Sequence, residues 1–166
     1  MTLTQLNQAQ PPQAQDAFMQ CCTSSTWVSR MVADRPYANA AQLASRADAN
    51  WQHLQESDYL QAFEGHPKIG DMDSLAKKYA TTKALASGEQ AGVKSANAGV
   101  LQALAEGNQN YLAKFGFIFI VCASGKSAAE MLALLQARLT NDRTTELNIA
   151  AEEQRKIFHL RLEKLL

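Results

Sequence analysis

The sequence has little of what marks a cross-linked, metal-binding or membrane protein. It has only three cysteines, and two of them, Cys21 and Cys22, are adjacent, a spacing that is awkward for a bridge between them. A disulfide framework is therefore not expected. Neither a CxxC nor an HxxxH spacing is present, so no zinc signature supports a metal site. No apolar run approaches the roughly 18 residues that cross a bilayer, and Met1 to Gln20 does not resemble a secretory signal.

The chain also lacks an excess of charge of either sign. It has 16 lysines and arginines against 16 aspartates and glutamates, which gives a formal net charge of zero. Such a chain is a poor candidate for binding nucleic-acid phosphates or an anionic membrane surface. With 166 residues, 46% of them hydrophobic, it has the size and composition of one globular domain. We therefore expect a single cytoplasmic domain over residues 1–166.

Glycine and proline are scarce, at eight and four residues, while alanine, leucine, glutamine and glutamate are frequent. This composition predicts an all-α, single-domain helical bundle. Pro11 and Pro12 are expected to end a short leading segment, and Gly107 is a candidate interruption of the longest helix. Capping residues and helix breakers then place helices over Gln13–Cys22, from Ser25 or Thr26 to Asp34, over Asn39–Leu54, from Ser57 to the break at Gly65, from Asp73 or Ser74 to Leu85, from the capping box at Ser87 to Lys114, over Ala128–Leu139 behind Ser127, and from Thr144 or Thr145 to Leu165.

One segment is not typical of a helix. Phe117–Ala123 is an apolar run rich in β-branched and aromatic residues, preceded by Gly116 and followed by Gly125. Its composition favours a buried strand, yet no other stretch makes a convincing partner strand. A lone extended segment leaves buried backbone groups unpaired, at about 1–3 kcal/mol each. It must be helical after all, pair with loop backbone or offer its amides to a ligand, and we expect one short extended segment at about 117–123.

The last helix has a polar residue where the core is expected. Leu147, Ala150, Gln154, Ile157 and Arg161 recur at steps of three and four and therefore share one helical face. Arg161 is thus expected on, or at the edge of, the face that meets the core. A guanidinium does not lose its proton, so when buried it needs an anionic or carbonyl partner. An internal carboxylate, or a head group that reaches solvent at the helix end, would account for this position without a functional role.

His66 is the first candidate for chemistry. It lies in the sequence Gly65-His66-Pro67, and the residue before a proline is disfavoured in a helix, so the imidazole is expected on a turn. Histidine titrates near neutrality, which suits proton transfer. A histidine in a loop is nevertheless more often a surface residue or a partner of the backbone. His53 and His159 lie on predicted helices and are weaker candidates.

Glu89 and Cys122 each have a functional and a structural interpretation. A glutamate in the first turn of a helix is favourable with the helix dipole, and the same helix start presents N–H groups to an anion or a carbonyl. Cys122 has the thiol of a nucleophile, but within an apolar run a buried, unreactive thiol is the favoured interpretation. No glycine-rich phosphate loop is present, since neither GxGxxG nor GxxxxGK[ST] occurs.

Four motifs in order resemble the family of 2-oxo-4-hydroxy-4-carboxy-5-ureidoimidazoline (OHCU) decarboxylases. They are Gly65-His66-Pro67-Lys68-Ile69-Gly70, Ser87-Gly88-Glu89-Gln90, the stretch Lys114–Ala123, and the tail from Glu146-Leu147 to Leu160-Arg161-Leu162. Each motif is weak alone, and the four together are specific. The likeness extends from about Phe18 to Leu165. It implies an all-helical single domain, commonly a homodimer, that uses neither a metal nor an organic cofactor and converts OHCU to (S)-allantoin in urate breakdown.

The same resemblance assigns roles to residues. His66 matches the catalytic histidine, Glu89 and Gln90 match an acidic and an amide residue that bind the ureido and ring groups, and Arg161 matches an arginine that supports Glu89 or the substrate. The family often has a serine where this chain has Ala86, so Ser87 or a water would supply that contact. The expected site has His66 and Glu89 as catalytic residues, with Pro67, Ser87, Gly88, Gln90, Phe117, Val121, Cys122, Ala123, Ser124, Gly125 and Arg161 in contact with the substrate.

Two other classes of protein remain open. A non-catalytic helical adaptor would explain the periodic faces, and it predicts that His66, Glu89 and Arg161 lie far apart. A cysteine-dependent hydrolase would need Cys122 to be exposed beside a histidine.

Overall fold

The structure, a computed structural model, describes residues 1–67 and 91–166, and for 91–97 only the backbone. These ranges contain eight helices and no strand, which confirms the all-α prediction. The chain divides into two compact units, Met1–His66 with Ala150–Leu166, and Pro67–Ile149. The helix predicted from Asp73 or Ser74 to Leu85, and the capping box at Ser87, lie outside the described residues. None of the described helices is both long enough and apolar enough to span a membrane.

Five short helices of the first unit begin at identifiable caps. Ser24 and Asn39 each accept a hydrogen bond from a backbone N–H in the first turn, and Ser24 lies one residue before the predicted cap. Pro11 and Pro12 open a helix rather than end the preceding segment, because the first turn does not need their missing N–H groups. The helices are α1 (Leu3–Gln8), α2 (Pro11–Met19), α3 (Ser25–Ala33), α4 (Ala40–Trp51) and α5 (Glu56–Glu64).

An aromatic cluster forms the centre of the first unit. The fully buried ring of Trp27 lies 6.0 Å from that of Phe18 and 5.0 Å from that of Phe158, between ring centroids. Trp51 packs edge-on against Phe158 and donates its indole N–H to the carbonyl of Ala151. Each such aromatic pair contributes about 0.5–1.5 kcal/mol beyond the burial of its surface. The cluster therefore fixes the end of the chain against α3 and α4.

In the described part of the second unit lie two complete helices, α6 (Ala91–Phe115) and α7 (Ala128–Arg138). α6 is continuous, so the candidate interruption at Gly107 is wrong. Gly107 is buried where α7 approaches, and a Cβ added to it would lie 2.6 Å from Cδ2 of Leu135. Ser127 caps α7 as predicted, by accepting a hydrogen bond from the backbone of Glu130.

The last helix, α8 (Arg143–Leu165), buries a stripe that shares Ala150 and Gln154 with the predicted one and differs from it at the other positions. Leu147 and Ile157, which are expected on the core-facing side, are partly exposed, and Arg161 is partly buried, as expected for a residue at the edge of that face. The predicted stripe omits Glu146, which is fully buried although charged residues are usually exposed. The buried stripe consists of Glu146, Ala150, Gln154, Phe158 and Leu162.

Gly107→Ala is expected to destabilise the protein, whereas Gly99→Ala in the same helix stabilises it. Alanine is favoured over glycine within a helix by about 1 kcal/mol, and nothing lies within 4 Å of a Cβ added at Gly99. At Gly107 the added methyl meets the fully buried Leu135, and such overpacking costs about 1–3 kcal/mol. Urea unfolding measures both changes, and equal stability of the two variants would contradict the close approach of α6 and α7.

Candidate active site

The turn that carries His66 follows directly on the end of α5. The backbone N–H groups of Gly65 and His66 donate to carbonyls in the last turn of that helix. Thr23 approaches Gly65 so closely that a Cβ there would clash with its hydroxyl, which donates to the carbonyl of Gln61 at 3.0 Å. Pro67 then keeps His66 out of the helical conformation. The imidazole, half-buried, thus leaves the helix end in a fixed direction.

The imidazole of His66 pairs with the side-chain amide of Gln154. Its Nε2 lies 2.5 Å from Oε1 of Gln154, and an amide oxygen only accepts, so the ring nitrogen is the donor. The Gln154 side chain is fully buried. Its Nε2 has no hydrogen-bond partner within residues 1–67 and 91–166. An unused buried donor costs about 1–3 kcal/mol, so the fold keeps this amide at the expense of its own stability.

Arg161 lies two turns beyond Gln154 on α8, about 10 Å along the helix axis and on the same side. It is partly buried, and its guanidinium donates to the carbonyl of Cys21 at 3.3 Å, one of the two kinds of partner expected for it. Burial raises the pKa of Cys21 to about 11 and that of Cys22 to about 12. Two donor groups, the Gln154 amide and the Arg161 guanidinium, therefore occupy one side of α8 within the first unit.

Four predicted site residues, Ser87, Gly88, Glu89 and Gln90, lie outside the described residues, so their roles stay predictions. Pro67, which follows His66 directly, is exposed.

The other two histidines have structural explanations. His159 pairs with Asp48 at 2.6 Å, and His53 is exposed just beyond the end of α4, with a positive φ of 59°.

In the part of the chain that the structure describes, no group of three or more histidines, cysteines or acidic residues is arranged to hold a metal ion.

In the second unit, the predicted apolar run follows α6 and forms neither a helix nor a strand. Gly116, before it, and Gly125, after it, have φ values of +80° and +74°, a left-handed conformation that favours glycine. Phe117 is buried, residues 121–123 are partly exposed, and Ser124 is exposed. The segment thus runs from the interior of the unit to its surface.

Cationic side chains bind the carbonyl groups of this run. Arg138 donates from Nη1 to the carbonyl of Ile120 at 2.5 Å, and Lys126 donates from Nζ to that of Cys122 at 2.7 Å. The backbone N–H of Lys126 donates to the carbonyl of Ala123, so pairing with loop backbone, one of the expected outcomes, occurs there. Because Cys122 is partly exposed, the interpretation of it as a buried thiol is wrong.

A buried polar network holds Arg138 in place. Glu146, fully buried, accepts hydrogen bonds from Arg138 Nε at 2.5 Å, from the hydroxyl of Tyr111 at 2.6 Å and from Asn141 at 3.1 Å. Burial, together with the hydrogen bond to Glu146, raises the pKa of Tyr111 well above its usual range. The charges of Arg138 and Glu146 compensate each other, so the arginine can stay buried. Held by Glu146, Arg138 in turn holds the carbonyl of Ile120 in place.

Gln154 and Arg138 make contacts that the sequence pattern does not predict. For Gln154 a signal exists, since an uncharged polar residue on a core-facing stripe usually has a buried partner. For Arg138 none exists, because an arginine in the last turn of a helix is ordinarily explained by the helix dipole.

Comparison with known proteins gives consistent matches. A family model described as OHCU decarboxylase matches residues 7–163. The uric acid degradation bifunctional protein TTL of Arabidopsis thaliana is 38% identical over 151 residues, which cover 91% of this chain and 47% of that protein. The OHCU decarboxylase of Haloferax volcanii is 26% identical over 163 residues, 98% of this chain and 94% of that protein. The chain spans at most about half the length of the first two curated relatives, both bifunctional.

Solved structures agree with these matches. A crystal structure of OHCU decarboxylase in the presence of (S)-allantoin has a TM-score of 0.72 and 38% identity, and the match covers 90% of this chain and 96% of that chain. A crystal structure of (S)-allantoin synthase, with 18% identity and a TM-score of 0.70, supports the fold alone. The predicted family resemblance is confirmed.

Glu146→Gln is expected to destabilise the protein by about 3–5 kcal/mol, because it leaves the buried charge of Arg138 uncompensated. The matched control is Glu152→Gln on the same helix, where the pair with Arg155 is exposed and contributes at most about 1 kcal/mol. Denaturant unfolding of the two variants measures both costs. Similar costs for the two would show that the buried network does not hold the second unit together.

Proposed function

We propose that this chain, which belongs to the OHCU decarboxylase family by the match over residues 7–163, removes the carboxylate of OHCU to give (S)-allantoin. The observation that carries the proposal is the pairing of His66, the residue matched to the family's catalytic histidine, with the buried amide of Gln154 at 2.5 Å. A half-buried imidazole held in one orientation suits proton delivery to one face of a substrate. A non-catalytic adaptor gives no reason to keep an unsatisfied amide against an imidazole.

The reaction consumes one proton and releases carbon dioxide. When the bond to the carboxylate carbon breaks, its electron pair moves into the substrate ring, where it is delocalised as an enolate. His66 then delivers a proton to the ring carbon from one side, and the new C–H bond gives a single enantiomer. A histidine suits this step because its unperturbed pKa lies near neutrality. Donors that are already in place stabilise the enolate without reorganisation.

Glu89, Gln90 and Arg161 are proposed to bind the remaining polar groups of the substrate, on the basis of the family resemblance. Glu89 anchors the ureido N–H groups, and Gln90 offers a donor and an acceptor to the ring amide. Arg161 supports Glu89 or an anionic group of the substrate, and its position two turns from Gln154 on the same side of α8 supports this role. Ser87, with Gly88, is proposed to supply the contact that the family's serine makes.

We also propose, from the resemblance, that the main chain of Val121–Gly125 binds the substrate and that Phe117 forms part of an apolar wall. An apolar surface disfavours a well-solvated carboxylate, so it favours the loss of that charge as carbon dioxide. The hydrogen bonds that Arg138 and Lys126 make to carbonyls in and next to this segment fix its backbone, which suits a segment that binds through its main chain.

We also propose, from the family resemblance, that the chain forms a homodimer and needs no cofactor, and we keep the prediction of a cytoplasmic location. Because the sequence has no net charge, neither a nucleic acid nor an anionic membrane is proposed as a partner.

His66→Asn is expected to lower the rate of OHCU decarboxylation by about 100-fold or more, because proton transfer by a side chain contributes that much. OHCU is generated freshly by the upstream reactions, and the optical activity of the product is followed with time. Spontaneous decay gives racemic allantoin, so a rapid dextrorotatory signal reports the enzyme.

The matched control is His159→Asn, because that histidine, in the same unit, pairs with Asp48 and has no proposed role in the reaction. It is expected to keep the wild-type rate. A wild-type rate in His66→Asn would remove His66 from the mechanism, and a wild-type protein that produces no optical signal would refute the proposed function.

Cys122→Ala is expected to retain decarboxylation, since the proposed contact there is made by the main chain. A cysteine-dependent hydrolase would lose its activity entirely with this substitution.

The native protein is also expected to react with iodoacetamide at Cys122 and not at Cys21 or Cys22. Those two side chains are buried, and their raised pKa values keep them protonated. Mass spectrometry after alkylation measures this, and equal labelling of all three would contradict the burial of the adjacent pair.

A further inference from the structure

We infer that Gln154 is a positioning and substrate-binding residue, whose Oε1 holds the Nε2–H of His66 while its buried Nε2 donates to an oxygen of the substrate. The inference rests on the proposed function for the identity of that substrate. It does not follow from the sequence motifs that carry the family resemblance, because those motifs give Gln154 no role. It follows from two atoms of one amide, a bonded oxygen and an unused nitrogen.

The oxygen of the amide determines which nitrogen of His66 carries the hydrogen. Oε1 has lone pairs and no hydrogen, so at 2.5 Å from the ring it requires Nε2 to be the donor. A neutral imidazole with its hydrogen on Nε2 has its lone pair on Nδ1. The transferred proton is therefore taken up and released at Nδ1, while Gln154 prevents the ring from turning. A hydrogen-bond partner at one ring nitrogen commonly sets the tautomer of a functional histidine in this way.

The nitrogen of the amide indicates what binds beside His66. Gln154 is fully buried, and its Nε2 has no partner among the residues that the structure describes. Buried polar groups in natural folds are nearly always hydrogen-bonded, so this donor calls for a partner beyond the described residues, and a substrate oxygen beside His66 supplies one. Arg161, on the same side of α8, is also a donor group. The complementary atoms are therefore oxygens, and OHCU offers them in its carboxylate and its hydroxyl group.

Two substitutions separate the roles of the amide from its place in the core. Gln154→Met keeps the length of the side chain and removes both polar atoms. Gln154→Glu keeps an acceptor for His66 but replaces the donor with a second, charged acceptor. The control is Phe158→Leu, one turn along the same buried stripe, which alters packing without touching a polar group.

Gln154→Met is expected to match or exceed the wild-type Tm, because it removes an unsatisfied buried group, and yet to lose about 10- to 100-fold in kcat, as a misplaced catalytic group does. Gln154→Glu should raise KM more than it lowers kcat, since its carboxylate repels the anionic substrate. Phe158→Leu should lower Tm while keeping the wild-type kcat and KM. A purely structural glutamine would give the reverse for Gln154→Met, a lower Tm with kinetics unchanged, and that result would overturn the inference.

Nitrogen-15 NMR of the His66 ring provides a measurement that does not depend on activity. The wild-type protein and Gln154→Glu should show the Nε2–H tautomer, and Gln154→Met a mixture of both tautomers. A wild-type ring with its hydrogen on Nδ1 would overturn the inference. If the wild-type protein makes no allantoin, the proposed function fails, and the ring signals still decide whether Gln154 holds the imidazole.

Discussion

The hydrogen bond between the His66 imidazole and the buried amide of Gln154 is the contact on which the proposed chemistry depends. It links the end of α5 to the middle of α8 within the first unit. The amide is half satisfied, which costs stability. Groups that stabilise a fold poorly but hold a titratable side chain in one orientation are typical of catalytic sites.

The second unit shows a related arrangement around a different segment. There the ion pair of Arg138 and Glu146, buried and supported by Tyr111, holds the backbone of the apolar run through the carbonyl of Ile120. The run makes no strand, so side-chain cations replace the pairing that a sheet would give to some of its carbonyls. In each unit, a buried polar group thus positions a segment that the family resemblance assigns to the substrate.

Much of the helical fold could be predicted from the sequence, because caps and breakers act over a few residues. Asn39, Ser127 and the break at Gly65 mark helix ends near where the structure has them. The buried stripe of α8 could be predicted only in part. Ala150 and Gln154 follow from the helical periodicity, whereas Glu146 is buried by partners that no periodicity reports. The position of His66 on a turn follows from Pro67 alone, whereas the residue that holds its ring does not, since that contact joins positions 88 residues apart.

A crystal structure of this protein grown in the presence of (S)-allantoin tests the central claim most directly. One oxygen of the ligand should lie within hydrogen-bond distance of Gln154 Nε2, with the His66 ring beside it and its Nε2 still on Gln154 Oε1. Allantoin bound elsewhere, with the Gln154 amide turned away from the imidazole, would contradict the assignment of this pair to the active site.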